Sequence, residues 1–205
     1  MLYKPRLSVQ LAVRPIASSD IVLRMRVSRT AIPDVLVIEP QVFCDPRGSF
    51  YESFNQRVFK HAVGFDVDFV QDNHSRSKKG VLRGLHYQSK YPQGKLVRVV
   101  SGSVFDVVVD LRQTSANRGH WIGMELSEFN NKQLWVPPGF AHGFLVLSES
   151  ADLLYKTTQY YEPIYQRCIT WNDPLIGIKW PITSTPQLSR IDKAGQAFAD
   201  VEYFE

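Results

Sequence analysis

The sequence predicts an all-β fold, an antiparallel barrel or sandwich. From Val35 onward, short runs of β-branched and aromatic residues alternate with turn residues, a pattern typical of such folds. The chain has 205 residues, a length that all-β barrels often fill as one domain. We therefore expect residues 30–205 to form a single domain and residues 1–29 to be an N-terminal extension.

Seven segments carry the strand pattern. Ser101-Gly102-Ser103 is a turn between two of them, and Pro137-Pro138-Gly139 ends another. The predicted strands are Val35–Ile38, Lys95–Val100, Val104–Leu111, Trp121–Leu126, Leu134–Val136, Gly143–Leu147 and Asp152–Thr157.

A helix is predicted after Ser53, because the apolar residues that follow share one face at helical spacing. Gly64 can end this helix. The strand edges of an antiparallel fold need cover, which closure into a jelly roll or pairing across a dimer supplies. The apolar helix positions are Phe54, Val58, Phe59 and Ala62.

The positive charge of the chain is concentrated at its N-terminus. Of 24 Lys/Arg and 20 Asp/Glu, six basic residues and one acid lie in residues 1–30, which leaves 18 basic and 19 acidic residues in the rest. The body, with a net charge of −1, does not predict a nucleic-acid partner. The extension is interpreted as an upstream translation start, with Met25 as the natural one, or as a basic, Arg-rich amphipathic arm for targeting or partner docking; a disordered segment is a further interpretation.

The cysteine pattern and hydropathy predict a cytoplasmic protein. Cys44 and Cys168 lie far apart, without the spacing of a disulfide framework or a zinc site. No apolar run reaches the roughly 20 residues of a membrane span, and the N-terminus lacks the pattern of a secretory signal.

Polar residues with catalytic potential lie within β-type segments. Side chains at i and i+2 of a strand face the same way, so Gln71 and Asn73 share a face, as do Gly84 and His86. Arg83 then points to the other face unless the strand is bulged or Arg83 reaches a neighbouring subunit.

A histidine, a lysine and a tyrosine in one polar pocket provide a base, an oxyanion stabiliser and an acid. This set suits proton abstraction next to a carbonyl group. Each residue also has a plainer interpretation: His86 as a core histidine, Lys95 as a solvated strand residue, Tyr155 as a packing aromatic and Asp192 as a helix cap.

A series of motifs in order along residues 30–192 resembles the dTDP-4-dehydrorhamnose 3,5-epimerase family. The motifs are Thr30-Ala-Ile-Pro-Asp-Val-Leu-Val-Ile-Glu-Pro40, Phe69-Val-Gln-Asp-Asn-His74, Val81-Leu-Arg-Gly-Leu-His-Tyr-Gln88, Gln93-Gly-Lys-Leu-Val-Arg-Val99, Gln133-Leu-Trp-Val-Pro-Pro-Gly-Phe-Ala-His-Gly-Phe144, Leu154-Tyr-Lys-Thr-Thr157, Trp171-Asn-Asp-Pro174 and Leu188-Ser-Arg-Ile-Asp192.

The resemblance implies a cupin-like antiparallel jelly-roll barrel with a few short helices, a homodimer, no metal and no cofactor. It implies epimerisation of dTDP-4-dehydro-6-deoxy-D-glucose at C3 and C5, on the route to dTDP-L-rhamnose. By position, His86 matches the base, Asp192 its orienting carboxylate, Tyr155 the proton donor and Lys95 the group that polarises the C4 ketone. Substrate contacts are implied for Arg47, Phe50, Glu52, Gln71, Asn73, Arg83, His142 and Tyr161.

The chain departs from the family pattern at Gln166, where a Glu is frequent, and at Ile191, where a Lys can precede the catalytic Asp. Both positions are peripheral contacts to the nucleotide, so the departures bear on affinity more than on chemistry. Tyr161 matches an aromatic position associated with the choice of carbons that epimerise.

Three other functions are considered. A metal-dependent cupin would need His-x-His followed by Glu, but the chain has His86-Tyr87-Gln88 and no Glu between His86 and Met124. A non-catalytic nucleotide-sugar binding protein would not need His86, Tyr155 and Asp192 together. Epimerisation at C3 alone, on a related dTDP-4-keto sugar, uses the same base and ketone chemistry and stays open.

Overall fold

The computed structural model describes residues 25–201 and 204. Thirteen strands, two α-helices and two short 3-10 turns, at Pro163–Tyr165 and Phe198–Asp200, are present among them. The elements are β1 (Met25–Arg29), β2 (Leu36–Pro40), β3 (Phe43–Asp45), β4 (Gly48–Phe50), α1 (Gln56–Val63), β5 (Gln71–Lys78), β6 (Leu82–Gln88), β7 (Lys95–Ser101), β8 (Ser103–Asp110), β9 (Trp121–Ser127), β10 (Gln133–Val136), β11 (Phe140–Val146), β12 (Ser150–Thr157), β13 (Gln166–Cys168) and α2 (Arg190–Lys193).

Two antiparallel sheets face each other. The first has the strand order β1-β2-β10-β7-β12-β5, and the second has the order β13-β6-β11-β8-β9. Strands β3 and β4 form a separate hairpin whose six residues are all exposed. Since most neighbours in each sheet come from distant parts of the chain, the barrel depends on long-range pairing, as between β2 and β10.

The main core lies between the two sheets, because alternate residues of each strand point inward. Val97 and Leu153 of the first sheet pack with Val108 and Phe144 of the second. A second apolar cluster covers the outer face of the second sheet, where Ile176 and other residues of the C-terminal segment pack on it.

Helix α1 covers the outer face of the first sheet. Val58 and Phe59 are buried against it, and Phe59 meets the ring of Trp135 edge-on at 5.2 Å between centroids. The Asn55 side chain accepts hydrogen bonds from the first turn, and Gly64 ends the helix in the left-handed conformation with φ 84°. The predicted helix and its glycine stop are therefore confirmed.

The seven predicted strands are confirmed, with ends that move by a few residues. Residues 25–29, assigned by sequence to the extension, form β1 and pair with β2. Residues 1–24 lie outside the described residues, and so do the interpretations that concern them. None of the helices in residues 25–201 has the length and apolar composition needed to cross a membrane.

Strand β6 contains a bulge at the point where it crosses β11. His142 pairs with His86 but Phe144 pairs with Arg83, so three steps on β6 match two on β11. At this crossing Gly84 has φ 118°, and a Cβ there would lie 2.5 Å from Cα of Gly143. The close backbone approach requires a glycine at position 84.

Replacing Gly84 with alanine is expected to lower the free energy of unfolding by roughly 2 to 5 kcal/mol, because the strained φ and the overlap with Gly143 add together. Urea unfolding followed by fluorescence measures the change. Gly80→Ala is the control, since Gly80 has φ 73° but no atom lies within 4 Å of the point that its Cβ would occupy. Equal losses in the two variants would contradict the role of the overlap.

Candidate active site

A cavity of ≈ 170 Å³ opens between the two sheets. It adjoins a shallower depression of ≈ 250 Å³ that shares four of its residues: Gln93, Tyr155, Tyr161 and Gln166. Six of the residues predicted for the site line the cavity, namely Arg83, His86, Lys95, His142, Tyr155 and Tyr161.

His86 projects from β6 and pairs with the carboxylate of Asp192. Its Nε2 lies 2.7 Å from Oδ1 of Asp192, and its side chain is 31% exposed while that of Asp192 is 3% exposed. Nε2 is buried, and its contact with Oδ1 is close but not aligned as a hydrogen bond. With Nε2 turned to the carboxylate, Nδ1 is the ring nitrogen left for a reacting group.

The two oxygens of Asp192 have different partners. Oδ1 accepts a hydrogen bond from the backbone N–H of Gly84 at 3.1 Å in addition to facing His86. Oδ2 accepts from the backbone N–H and the hydroxyl of Ser189, which completes a capping box at the start of α2. Asp192 is therefore both the helix cap and the partner of His86, two roles that the sequence left as alternatives.

Burial by itself would raise the pKa of the Asp192 carboxyl. The contacts with His86, Ser189 and Gly84 outweigh burial and hold this pKa well below its usual range. Asp192 is thus an anion beside the imidazole, which favours an imidazolium when His86 takes a proton.

Cys168 of β13 lies opposite His86 in the register. Burial, with a smaller effect from the Asp192 charge, raises the pKa of its thiol to about 12. Donor atoms of His86, Cys168 and Asp192 lie within 4.8 Å of one another, the one such group of three among the described residues. Both Asp192 oxygens already accept hydrogen bonds, so the geometry of this group is that of a histidine–carboxylate pair.

Lys95 of β7 is buried in the opposite wall, with 7% of its surface exposed. Its Nζ lies 3.5 Å from the carbonyl oxygen of His86. Desolvation lowers the pKa of Lys95 to about 8, and the nearby charge of Asp106 opposes this shift. The amine is therefore charged near neutral pH but close to its titration point.

Tyr155 of β12 also belongs to the first sheet, so it faces His86 across the cavity. Burial raises the pKa of Tyr155, with an opposing effect from Arg83 and a smaller addition from Tyr161. The phenol is therefore protonated at neutral pH, as a proton donor must be.

The bulge in β6 turns Arg83 toward the cavity, which it lines together with His86. Its Nε donates to the hydroxyl of Ser77 at 3.0 Å. The expectation that Arg83 points to the other face unless β6 is bulged is therefore resolved in favour of the bulge.

The depression beside the cavity contains Gln71, Asn73 and Tyr161. Gln71 accepts from the backbone N–H of Tyr161 at 3.0 Å and donates to Asn73 at 2.9 Å. The Tyr161 hydroxyl donates to Gln166, the position that departs from the family pattern. These contacts connect the loop that carries Tyr161 to β5 and β13.

The structure does not bring Arg47, Phe50 or Glu52 of the same chain to the cavity. Arg47 and Phe50 belong to the exposed β3–β4 hairpin and line a separate depression. The Arg47 side chain pairs with Asp45, and Phe50 is 74% exposed. Glu52 follows the hairpin and lines neither cavity nor depression at the site.

Sequence reasoning missed three polar side chains around the cavity. The hydroxyl of Ser75 is buried without a hydrogen-bond partner among the described residues, Asp106 accepts from His142, and Cys168 lies beside the pair of His86 and Asp192. Asp106 carried a signal, since it is a lone charge within the apolar run Val104–Val109. The other two have ordinary surroundings in the sequence.

Comparisons with known proteins agree with this geometry. A family model described as dTDP-4-dehydrorhamnose 3,5-epimerase matches residues 29–200. The chain belongs to this family. The dTDP-4-dehydrorhamnose 3,5-epimerase of Pseudomonas aeruginosa is 58% identical over 180 residues, which cover 88% of this chain and 99% of that protein.

Two solved structures of this epimerase family are informative. A dTDP-6-deoxy-D-glucose-3,5-epimerase from Legionella pneumophila, in complex with dTDP-4-keto-L-rhamnose, has a TM-score of 0.85 and 48% identity, and covers 87% of this chain and 95% of its own. A 3'-monoepimerase from Streptomyces bikiniensis, in complex with dTDP-quinovose, has a TM-score of 0.79 and 32% identity, with 83% and 87% covered. The predicted jelly-roll epimerase fold is confirmed.

Proposed function

We propose that this epimerase inverts C3 and C5 of dTDP-4-dehydro-6-deoxy-D-glucose, with His86 as the base and Tyr155 as the acid. One observation carries the proposal: the two groups project from opposite sheets into one cavity. Inversion requires that a proton leave one face of a carbon and return to the other. A sugar ring held between the sheets has the base on one side and the acid on the other.

The role of Lys95 follows from the substrate. C3 and C5 are both α to the C4 ketone, so loss of either proton gives an enolate whose charge lies largely on the C4 oxygen. A buried ammonium beside that oxygen stabilises both enolates. Its low exposure strengthens the interaction, because water does not screen the charge.

Each inversion transfers one proton to His86 and takes one from Tyr155. The Asp192 carboxylate stabilises the imidazolium that forms. Before the second inversion the imidazolium must lose its proton and the phenolate must regain one, and both can exchange with solvent through the open mouth of the cavity. No oxidation occurs, so the reaction needs no redox cofactor, and the ammonium of Lys95 supplies positive charge at the C4 oxygen.

The nucleotide is proposed to lie in the outer depression, beside Gln71, Asn73 and Tyr161. Arg83 suits the diphosphate, because a guanidinium holds phosphate oxygens in bidentate fashion. His142 contacts the sugar from the floor of the cavity. This arrangement places the ketone near Lys95 and the charged diphosphate near solvent.

A homodimer is proposed to complete the site. Arg47, Phe50 and Glu52 are assigned to substrate binding by resemblance, yet the hairpin holds the first two away from the cavity of their own chain. The exposed rings of Phe43 and Phe50 are typical of a surface that another chain covers. The hairpin of one copy would then supply these residues to the cavity of the other.

Epimerisation at C3 alone is the second candidate. The 3'-monoepimerase from Streptomyces bikiniensis has the same fold as this chain, so the fold accommodates either outcome. The higher identity to the Pseudomonas 3,5-epimerase favours inversion at both carbons. A cytoplasmic location is also proposed, in keeping with the free thiols of Cys44 and Cys168.

The wild-type enzyme with dTDP-4-dehydro-6-deoxy-D-glucose in D₂O is expected to acquire deuterium at C3 and C5, as followed by NMR. His86→Ala removes the base and should lower exchange by about 10²- to 10⁴-fold. Tyr155→Phe keeps the base, so it should exchange the protons at C3 and C5 with solvent but should not invert these carbons. Label at C3 alone in the wild type would support the second candidate, and no label would contradict the proposed reaction.

The rate should fall as the pH rises through about 8, because Lys95 then loses its charge. Above that pH, kcat/KM should decline about tenfold per pH unit, as for loss of a single proton. Lys95→Arg, whose guanidinium stays charged, should be slower but should lack this decline at alkaline pH. A decline of kcat/KM near pH 8 that persists in Lys95→Arg would assign the titration to another group.

Arg47→Ala and His86→Ala should each be nearly inactive, but their mixture should regain activity if the hairpin serves the other subunit. Random exchange of subunits leaves about a quarter of the sites intact. Steady-state rates after mixing and brief partial denaturation measure the recovery. His86→Ala mixed with Lys95→Ala is the control, since both residues belong to one cavity. Activity of the first mixture at the level of this control would contradict the shared site.

A further inference from the structure

Asp106 is a fully buried carboxylate that the reaction described above does not use. It belongs to β8, is 0% exposed, and shares the inward face of the strand with Val104 and Val108. A carboxylate in an apolar interior is strongly disfavoured unless charges or hydrogen bonds compensate it. The groups that compensate Asp106 belong to the cavity.

The first group is His142 of β11. Its Nε2 lies 2.9 Å from both oxygens of Asp106. An imidazole that donates through Nε2 has Nδ1 as its other ring nitrogen, and His142 lines the cavity. The carboxylate therefore determines which nitrogen of His142 the substrate meets.

The second group is Lys95, on the facing wall. Lys95 shares the inward face of β7 with Val97, which packs in the same core as Val104. Among the described residues no carboxylate lies within the 4.0 Å of an ion pair with Nζ of Lys95. The charge of Asp106 is nevertheless the one that acts on this amine, in opposition to its burial.

We propose that Asp106 is a positioning residue of the epimerase site, which keeps Lys95 as an ammonium and holds His142 with Nδ1 toward the substrate. The inference rests on the proposed function, since it assigns to Asp106 the maintenance of two groups that bind the sugar. One buried anion then serves both walls of the cavity, because β8 lies next to β11 in one sheet and Lys95 belongs to the facing sheet.

Other ionisable groups around Lys95 do not replace Asp106. His86 and Arg83 of β6, His142 of β11 and Tyr155 of β12 line the same cavity. Each of these is neutral or positive at neutral pH, so none of them stabilises an ammonium by charge. Asp192 is paired with His86 and is not among the groups that act on the pKa of Lys95.

The test is the pH dependence of kcat/KM for wild type and Asp106→Asn, with dTDP-4-dehydro-6-deoxy-D-glucose as substrate. Loss of the anion should move the alkaline limb to lower pH by about one unit. The rate of the variant should therefore lie much further below wild type at pH 8 than at pH 6. A role in stability alone would lower the rate by the same factor at every pH.

Asp110→Asn is the matched control. Asp110 lies on the same strand and is also 0% exposed, but it pairs with Arg112 outside the cavity. This variant should be less stable in thermal unfolding and should keep the wild-type limb. A limb that does not move in Asp106→Asn, or that moves equally in Asp110→Asn, would overturn the inference.

A measurement on the wild type covers the case in which Asp106→Asn does not fold. Nitrogen-15 NMR should find His142 protonated at Nε2, and a bare Nε2 would overturn the inference. If the wild type itself neither turns over the substrate nor exchanges its protons with D₂O, the proposed function fails. A different result is an active wild type together with an alkaline limb that does not shift in Asp106→Asn. That result overturns only the role of Asp106.

Discussion

The carboxylate of Asp192 is the contact on which the site depends. One oxygen accepts a hydrogen bond from the hydroxyl of Ser189, at the start of helix α2. The other accepts from the backbone N–H of Gly84 and lies close to His86. The C-terminal segment, which covers the outer face of the second sheet, is thereby coupled to the strand that carries His86. The packing of the C-terminal segment and the alignment of His86 therefore depend on the same carboxylate.

The two-sheet architecture explains why a few polar residues suffice for this chemistry. Each sheet points alternate side chains into a shared apolar interior, where charges are weakly screened. His86 on one wall and Tyr155 on the other face opposite sides of a molecule bound between the two sheets. Lys95 is buried on the same wall as Tyr155. The two-sheet fold thus brings ionisable groups of different kinds to opposite walls of one cavity.

Much of this organisation could be predicted from the sequence, for physical reasons. The predicted strands are runs rich in β-branched and aromatic residues, and turn residues such as Ser101-Gly102-Ser103 and Pro137-Pro138-Gly139 bound them, so their positions were evident. The β3–β4 hairpin and β13 are three-residue strands with no such period. The direction of Arg83 depends on a bulge at the contact of Gly84 with Gly143, two positions far apart in the chain. The contact of Asp106 with His142 is not evident from the sequence, because it requires that β8 pair with β11.

The thiol of Cys168 has a further consequence for the chemistry of this site. A cysteine next to a histidine is often a reactive nucleophile, because a positive neighbour favours the thiolate. Here the neighbouring charge is the Asp192 anion, and burial acts in the same direction, so the pKa is about 12. Oxidants and alkylating agents react with thiolates, and Cys168 presents almost none. The thiol beside His86 therefore stays protonated, which makes it a poor nucleophile toward such reagents.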